Sequence, residues 1–168
     1  MRNLGKAAPL RETARAESLP LVVRPLDVTS QESIDRAMAE TVAAEGPIDV
    51  LVNNAGIGGA TPLELTPEDE HRAMFEANYW GPIRMIRAVL PSMRERRTGC
   101  IVNVTSIAGR VATPNQIAYS ASKHALGAAS EALAHEVVSF GVRVAIVEPG
   151  VIQTAKVSDQ SSSGCFCA

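Results

Sequence analysis

The run IDVLVNN, residues 48–54, is apolar at 48, 50, 51 and 52 and closes on two asparagines. A strand with one face in water alternates apolar and polar residues. A nearly unbroken apolar run is the pattern of a parallel strand covered on both faces. Parallel strands need long crossover connections, usually helices. The flanking sequence supplies them.

Upstream, LPLVVRPLDV (19–28) reads as a strand rich in Leu and Val. Thr29 or Ser30 then caps a helix through SQESIDRAMAETVAAEG (30–46), with Glu32 in its first turn and Gly46 past its end. Ile34, Met38 and Val42 give that helix an apolar stripe. Downstream, Thr66, Pro67 and Glu68 open a helical region, with Thr66 as the cap. It is expected to break near Gly81-Pro82 and to reach about Arg97. CIVNVTS (100–106) is a third strand, in which Cys100 serves as a small hydrophobe. Residues 114–140 form a helix ended by Gly141, and VRVAIVEPG (142–150) is a strand running into a Pro-Gly turn. This alternation describes an α/β, doubly wound parallel sheet of the Rossmann-like kind. One domain spans 1–154. The Ser-rich stretch AKVSDQSSSGCFCA (155–168) has no period and reads as a disordered tail.

The bulk properties narrow the partners. The chain has 168 residues, 46% of them hydrophobic and 20% charged, which fits a globular protein with a core. A net charge of -2 argues against a nucleic-acid or membrane-surface partner. No apolar run is long enough to cross a bilayer, and the first residues carry no apolar leader core, so a cytoplasmic setting is expected. Three Cys cannot all pair, and no His stands at metal-ligand spacing from them, so no metal site is expected.

In sheets of this class ligands collect beyond the carboxyl ends of the strands. Asp27, Asn53-Asn54, Thr105-Ser106 and Pro149-Gly150 fall there. The helix after the third strand adds IAYSASKHALGAAS (117–130). Its Tyr119 and Lys123 are four residues apart and share a face. A free tyrosine titrates near ~10, and bringing it toward ~7 takes about 4 kcal/mol. An adjacent ammonium favours the phenolate and contributes in that direction, giving a general acid/base at neutral pH. Ser106 can orient a substrate oxygen or cap a turn. Asn53 and Asn54 can tie strands together, Asp27 can cap the following turn, and Asn78 can interrupt a helix. GIGGAT (56–61) has the glycines of a dinucleotide loop but no helix opening directly after it, so it is not read as a phosphate cradle.

LDVT (26–29), NNAG (53–56), Asn78 in FEANYWG (75–81), Ser106 in IVNVTSIAG (101–109), YSASK (119–123) and PG (149–150) occur together in this order. As a set they resemble the short-chain dehydrogenase/reductase family in its core single-domain form, over residues 1 to about 154. The resemblance implies Tyr119 as acid/base, Lys123 on the nicotinamide ribose, Ser106 orienting the substrate oxygen, and Asn78 holding a water of the proton relay. It implies Asp27 and Val28 beside the adenine. Asn54, Ala55 and Gly56 would line the cofactor, with Pro149, Gly150, Ile152 and Thr154 at the nicotinamide end. Arg2 would meet a 2′-phosphate, which favours NADP, with NAD as the alternative. The implied activity is hydride transfer between the nicotinamide and a small-molecule secondary alcohol or ketone.

The family's Gly-rich turn after its first strand is not found. On that ground the chain is expected to lack the family's first two strands, first helix and last strand. The family's strand order is 3-2-1-4-5-6-7, so 19–28 would stand apart from 48–54 by a two-strand gap with a bared edge, and the one escape is direct pairing of the two through the helix at 31–45. A second reading follows: a truncated relative that binds no cofactor and serves at most as an association partner. A third, epimerase or dehydratase chemistry, uses the same Tyr-Lys pair but fits the Ser106 context less well. The helices at 67–97 and 114–140 are expected to pair in a homo-oligomer, using Leu126, Ala129, Leu133 and Val137 as the stripe.

Overall fold

The computed structural model describes residues 4–150, and Arg2, Ile152, Thr154 and the 155–168 segment lie outside the described residues. Three parallel strands form one sheet in the order β1-β2-β3: β1 (Val50–Asn53), β2 (Gly99–Val104) and β3 (Val142–Val147). Among the described residues five α-helices accompany them: α1 (Ala8–Ala16), α2 (Gln31–Glu45), α3 (Glu68–Phe75), α4 (Gly81–Arg96) and α5 (Ile117–Val137).

Helix α2 starts where its cap predicts. Ser30 is extended, and its Oγ accepts from the Ser33 amide at 3.2 Å. At the other end Gly46 takes φ 86. Ile34 and Ala37 are buried and Met38 partly so, while Val42 is 45% exposed, so the buried stripe ends a turn earlier than expected. Helix α3 begins behind Pro67 with Glu68, Asp69 and Glu70 in its first turn, where acids suit the dipole. Thr66 does not cap it: its hydroxyl donates back to the carbonyl oxygen of Pro62 at 2.9 Å. The expected break at Gly81-Pro82 is a π-turn immediately before it, Glu76–Trp80, through which the chain passes from α3 into α4 without leaving helical geometry. Pro82 follows directly, and the hydrogen bond its missing N–H would have made to the preceding turn is absorbed where the π-turn loosens the helix.

The core lies on one face of the sheet. Leu51 and Ile101 are register partners, and they pack with Ile34, Met85, Ile86, Val89 and Met93. Val137 and Val142 complete the cluster. Fully burying one such side chain contributes roughly 1.5–3 kcal/mol. The opposite face has no helix against it among the described residues, and Val50 and Val52 are each 56% exposed. The apolar run 48–54 therefore makes the expected strand, but only one of its faces is covered here.

Residues 19–28 do not form the expected strand, nor do they pair with β1. The amide of Leu21 donates to the carbonyl oxygen of Leu19 at 2.8 Å, a tight turn that breaks extension. Pro20 and Pro25 have no N–H to give a ladder. Leu19, Leu21 and Val22 are exposed, while Leu26 and Val28 reach the edge of the core.

The stripe on α5 also faces elsewhere than expected. Leu126 and Val137 are buried to 1% and 2%, and Leu133 packs on the core cluster. Within this chain they are interior residues, not an oligomer surface. The helix runs into a last 3-10 turn and stops at Gly141, whose φ of 71 is left-handed. The carbonyl of Arg97 stands directly against the place a side chain would take there. No helix among the described residues is long and apolar enough to cross a membrane.

Candidate active site

The carboxyl ends of β1 and β2 meet the first turns of α5. Tyr119 is half-buried and Lys123 is 6% exposed. One helical turn puts them side by side, and the ammonium of Lys123 lies 5.9 Å from the centroid of the Tyr119 ring. Lys123 Nζ donates to the carbonyl oxygen of Val104, the last residue of β2, at 2.9 Å. A Cβ built on Gly56 would stand 3.7 Å from the same nitrogen. The amine is thus seated between the ends of two strands.

Two close backbone approaches make that seat. Gly56 lies in the loop after β1, and a Cβ there would come within 2.9 Å of Asn78 Oδ1. Gly109 closes a short 3-10 turn, Ile107–Gly109, after β2, and a Cβ there would meet the Lys123 backbone carbonyl at 3.1 Å. Asn54 and Ala55 are exposed beside Gly56. Further along the loop, the space for a Gly58 side chain ends 3.6 Å from the Tyr119 ring. The Thr61 amide then donates to the Asn115 carbonyl oxygen at 2.8 Å, which ties this loop to the one after β2. A small cavity at the outer edge of Tyr119 is lined by Gly59, Thr61, Met74, Asn115 and Ile117. Past Pro62 the chain makes only a 3-10 turn, Leu63–Leu65, so GIGGAT leads to no helix N-terminus that could hold a phosphate.

Ser106 sits between β2 and that 3-10 turn. Its Oγ accepts from the Ala108 amide at 3.1 Å, so it is a cap. The acceptor role leaves its own O–H available to donate. The end of β3 runs alongside: the Thr105 amide donates to Val147 O at 2.8 Å and the Ile107 amide to Pro149 O at 3.0 Å. Pro149 and Gly150 therefore lie next to Ser106. A guanidinium braces this corner from outside. Arg110 bonds Glu148 at 2.6 Å and Glu131 at 2.9 Å, and these carboxylates, Glu148 first, push its pKa above the ordinary value.

Asn78 is fully buried in the π-turn. Its Oδ1 accepts from the Ile57 amide at 2.8 Å, and its Nδ2 donates to Ile57 O at 2.8 Å and to Ser122 Oγ at 3.0 Å. Both amide hydrogens are used within the protein, so a relay water would have to be met by its Oδ1 or its backbone. Asn53 is also engaged. It donates to Asn103 at 2.8 Å, and Asn103 donates to Ser130 on α5 at 2.8 Å. That ladder supports the strand-tying reading of Asn53.

The Asp27 carboxylate accepts from the Thr29 amide at 3.0 Å and the Thr29 hydroxyl at 2.8 Å, closing a turn ahead of α2. Val28 packs against the core. Ser122, whose hydroxyl joins Asn78 to α5, was not singled out from the sequence. Its signal was its place one residue before Lys123, three after Tyr119 and four before Leu126, on the inward side of the helix.

The chain as a whole is similar to known proteins. The family model described as short chain dehydrogenase matches residues 1–163. A 3-ketodihydrosphingosine reductase of Bacteroides thetaiotaomicron is 41% identical over 138 residues, covering 82% of this chain and 51% of that one. A short-chain dehydrogenase from Streptomyces avermitilis superposes with a TM-score of 0.85 at 42% identity, over 92% of this chain and 57% of that one. A gluconate 5-dehydrogenase from Burkholderia cenocepacia, in complex with NADP and tartrate, gives 0.87 at 29% identity, over 97% and 64%. The chain spans about half the length, 51%, of the first of these relatives.

Proposed function

The chain belongs to the short-chain dehydrogenase family, and from that membership we propose that it acts as an NAD(P)-dependent oxidoreductase on a secondary alcohol or ketone, with Tyr119 as the acid/base. The observation that carries the reading is the seat of Lys123: its ammonium stands 5.9 Å from the Tyr119 ring while bonded to Val104 O.

The residues present fit the nicotinamide–ribose end of such a cofactor. Gly56 lets Asn78 and Lys123 Nζ close up against the loop, Asn54 and Ala55 are exposed beside it, and Lys123 brings a donor to the same place. When bound, the cofactor supplies or accepts the hydride. The chain's own residues handle the proton. In reduction Tyr119 Oη gives its proton to the substrate oxygen; in oxidation it takes one. Ser106 donates its O–H to that oxygen and fixes its position. Lys123 stands beside the phenol and is held from behind by a strand-end carbonyl. Such placed acid/base groups accelerate reactions roughly 10²–10⁴-fold.

NADP is the assigned cofactor, with NAD as the alternative, supported by the NADP-bound gluconate 5-dehydrogenase and by Arg2, which lies outside the described residues. The named relatives act on a sphingoid ketone and a sugar acid, which leaves the reacting group, not the rest of the substrate, as their common element. The same proposal holds the protein to be a cytoplasmic homo-oligomer.

The test is a titration of the full chain with NADPH and NADH, followed by cofactor fluorescence, and then turnover with a ketone panel. Saturable NADPH binding, and turnover lost in Tyr119→Phe with binding kept, is the expected result. Absence of binding at about millimolar cofactor, a free energy of only about -4 kcal/mol, overturns the reading.

A further inference from the structure

Helix α5 carries three buried serines, Ser120, Ser122 and Ser130, and the last two, eight residues apart on either side of buried Leu126, are bonded alike. Each accepts an asparagine amide and returns its own hydrogen to the helix backbone. Ser122 Oγ takes Asn78 Nδ2 at 3.0 Å and donates to Tyr119 O at 2.7 Å. Ser130 Oγ takes Asn103 Nδ2 at 2.8 Å and donates to Leu126 O at 2.6 Å. The two relays are alike in chemistry and different in what they hold. The Ser130 relay ends in the sheet, through Asn103 and Asn53. The Ser122 relay ends in a loop, because the same Asn78 carboxamide clasps both the N–H and the C=O of Ile57 at 2.8 Å.

Ile57 follows Gly56, whose missing side chain gives Lys123 Nζ and Asn78 Oδ1 their room. The bond from Ser122 returns to the carbonyl of Tyr119 itself. One hydroxyl therefore lies on the path that joins the loop after β1, the π-turn and the turn of α5 bearing Tyr119 and Lys123.

We propose that Ser122 is a positioning residue: through Asn78 it sets the height of the 56–58 loop against Tyr119 and Lys123. This rests on the functional reading above for its consequence, though not for its geometry. The loop is held by a carboxamide whose orientation is fixed by three bonds, and Ser122 supplies the one that refers it to α5. Without that bond Asn78 keeps its grip on Ile57 but is no longer indexed to the helix. The loop and the π-turn then move together relative to the acid/base pair. Ser130 has no such path to the loop, and serves as the matched control.

Amide hydrogen exchange in the full chain without cofactor reads the geometry directly. The exchange rate at Ile57 is compared with that at Ile101, deep in β2, within the same sample. In Ser122→Ala the Ile57/Ile101 ratio should rise about five- to tenfold, the scale of one hydrogen bond. In Ser130→Ala the Ile57 rate itself should stay at the wild-type value and the ratio should not rise, because any lost global stability speeds Ile101 and can only lower the ratio. Ser122→Cys, with a weaker donor and acceptor in similar volume, should fall between wild type and Ser122→Ala. An unchanged ratio in Ser122→Ala, or an equal rise in Ser130→Ala, overturns the proposal. NADPH titration adds the functional arm: Ser122→Ala should raise Kd about fivefold or more while Ser130→Ala leaves it unaltered. Wild type that fails to bind NADPH refutes the oxidoreductase reading alone, since the exchange arm still judges the clamp.

Discussion

Lys123 Nζ donates to the carbonyl oxygen of Val104 at 2.9 Å, so the end of a strand holds the one lysine of α5 in place beside Tyr119. A surface lysine spends most of its rotamers in water, and fixing one costs side-chain entropy of up to about 2 kcal/mol. Here burial to 6% and a backbone acceptor leave it one posture. Lys123→Met keeps the length and removes the charge and the bond. The expected outcome is turnover down at least about 100-fold. Stability should fall by about 1–3 kcal/mol because the Val104 carbonyl loses its donor. Ketone reduction and urea unfolding measure the two. Turnover near wild type in a stably folded variant would remove Lys123 from the chemistry.

Ser106 has two duties that one substitution separates by magnitude. As a cap its Oγ accepts from the Ala108 amide at 3.1 Å, and losing a cap of this kind costs about 0.5–2 kcal/mol. As an orienting donor it acts in the transition state, where a lost hydrogen bond to developing negative charge costs about 10²–10³ in rate. Ser106→Ala should show both: a modest loss in unfolding free energy and a large fall in kcat with KM little changed. A variant that loses only stability assigns Ser106 to the turn.

The contrast between 19–28 and 48–54 shows how far the sequence could be read. Both are apolar runs of strand length. One pairs with β2, and the other turns at Leu19–Leu21 and joins no ladder. Strand propensity is local, but a strand needs a neighbour, and no local pattern names one. The caps at Ser30 and Gly141 were legible because a cap is a short-range hydrogen bond or a single backbone angle. The Tyr119–Lys123 pairing was legible for a like reason, since helical periodicity fixes it. The inward aim of Leu126 and Val137 was not, because a helix face reads as apolar whether its partner is a sheet or another chain. Ser122 escaped for the converse reason: a serine inside a helix looks neutral until its partner Asn78, 44 residues away, is seen.

Gly56 tests whether the loop after β1 is held as tightly as its contacts imply. A Cβ there would stand 2.9 Å from Asn78 Oδ1, inside normal contact, and Asn78 cannot retreat without releasing Ile57. Gly56→Ala should therefore cost about 1–3 kcal/mol. For a chain of this size that lowers Tm by about 2–4 °C per kcal/mol. NADPH affinity should fall with it, because the added methyl also narrows the approach to Lys123 Nζ. Calorimetry and cofactor titration on the same sample check both. A variant as stable as wild type would mean that the loop yields freely.

The ladder Asn53–Asn103–Ser130 predicts a coupling rather than a single loss. Asn103 is fully buried, receives Asn53 Nδ2 and gives its own amide to Ser130 Oγ, both at 2.8 Å. Asn103→Ala leaves Asn53 without its acceptor and Ser130 without its donor. Ser130→Ala leaves the Asn103 amide unpaired. Each should cost about 1–3 kcal/mol, since an orphaned buried polar group carries its desolvation penalty. The double variant removes both ends of one bond and should cost less than the sum by about 0.5–3 kcal/mol. Urea denaturation of the four proteins gives the cycle. Strict additivity would mean that the Asn103–Ser130 bond contributes nothing to the docking of α5 on β2, and that apolar packing around Leu126 holds the helix alone.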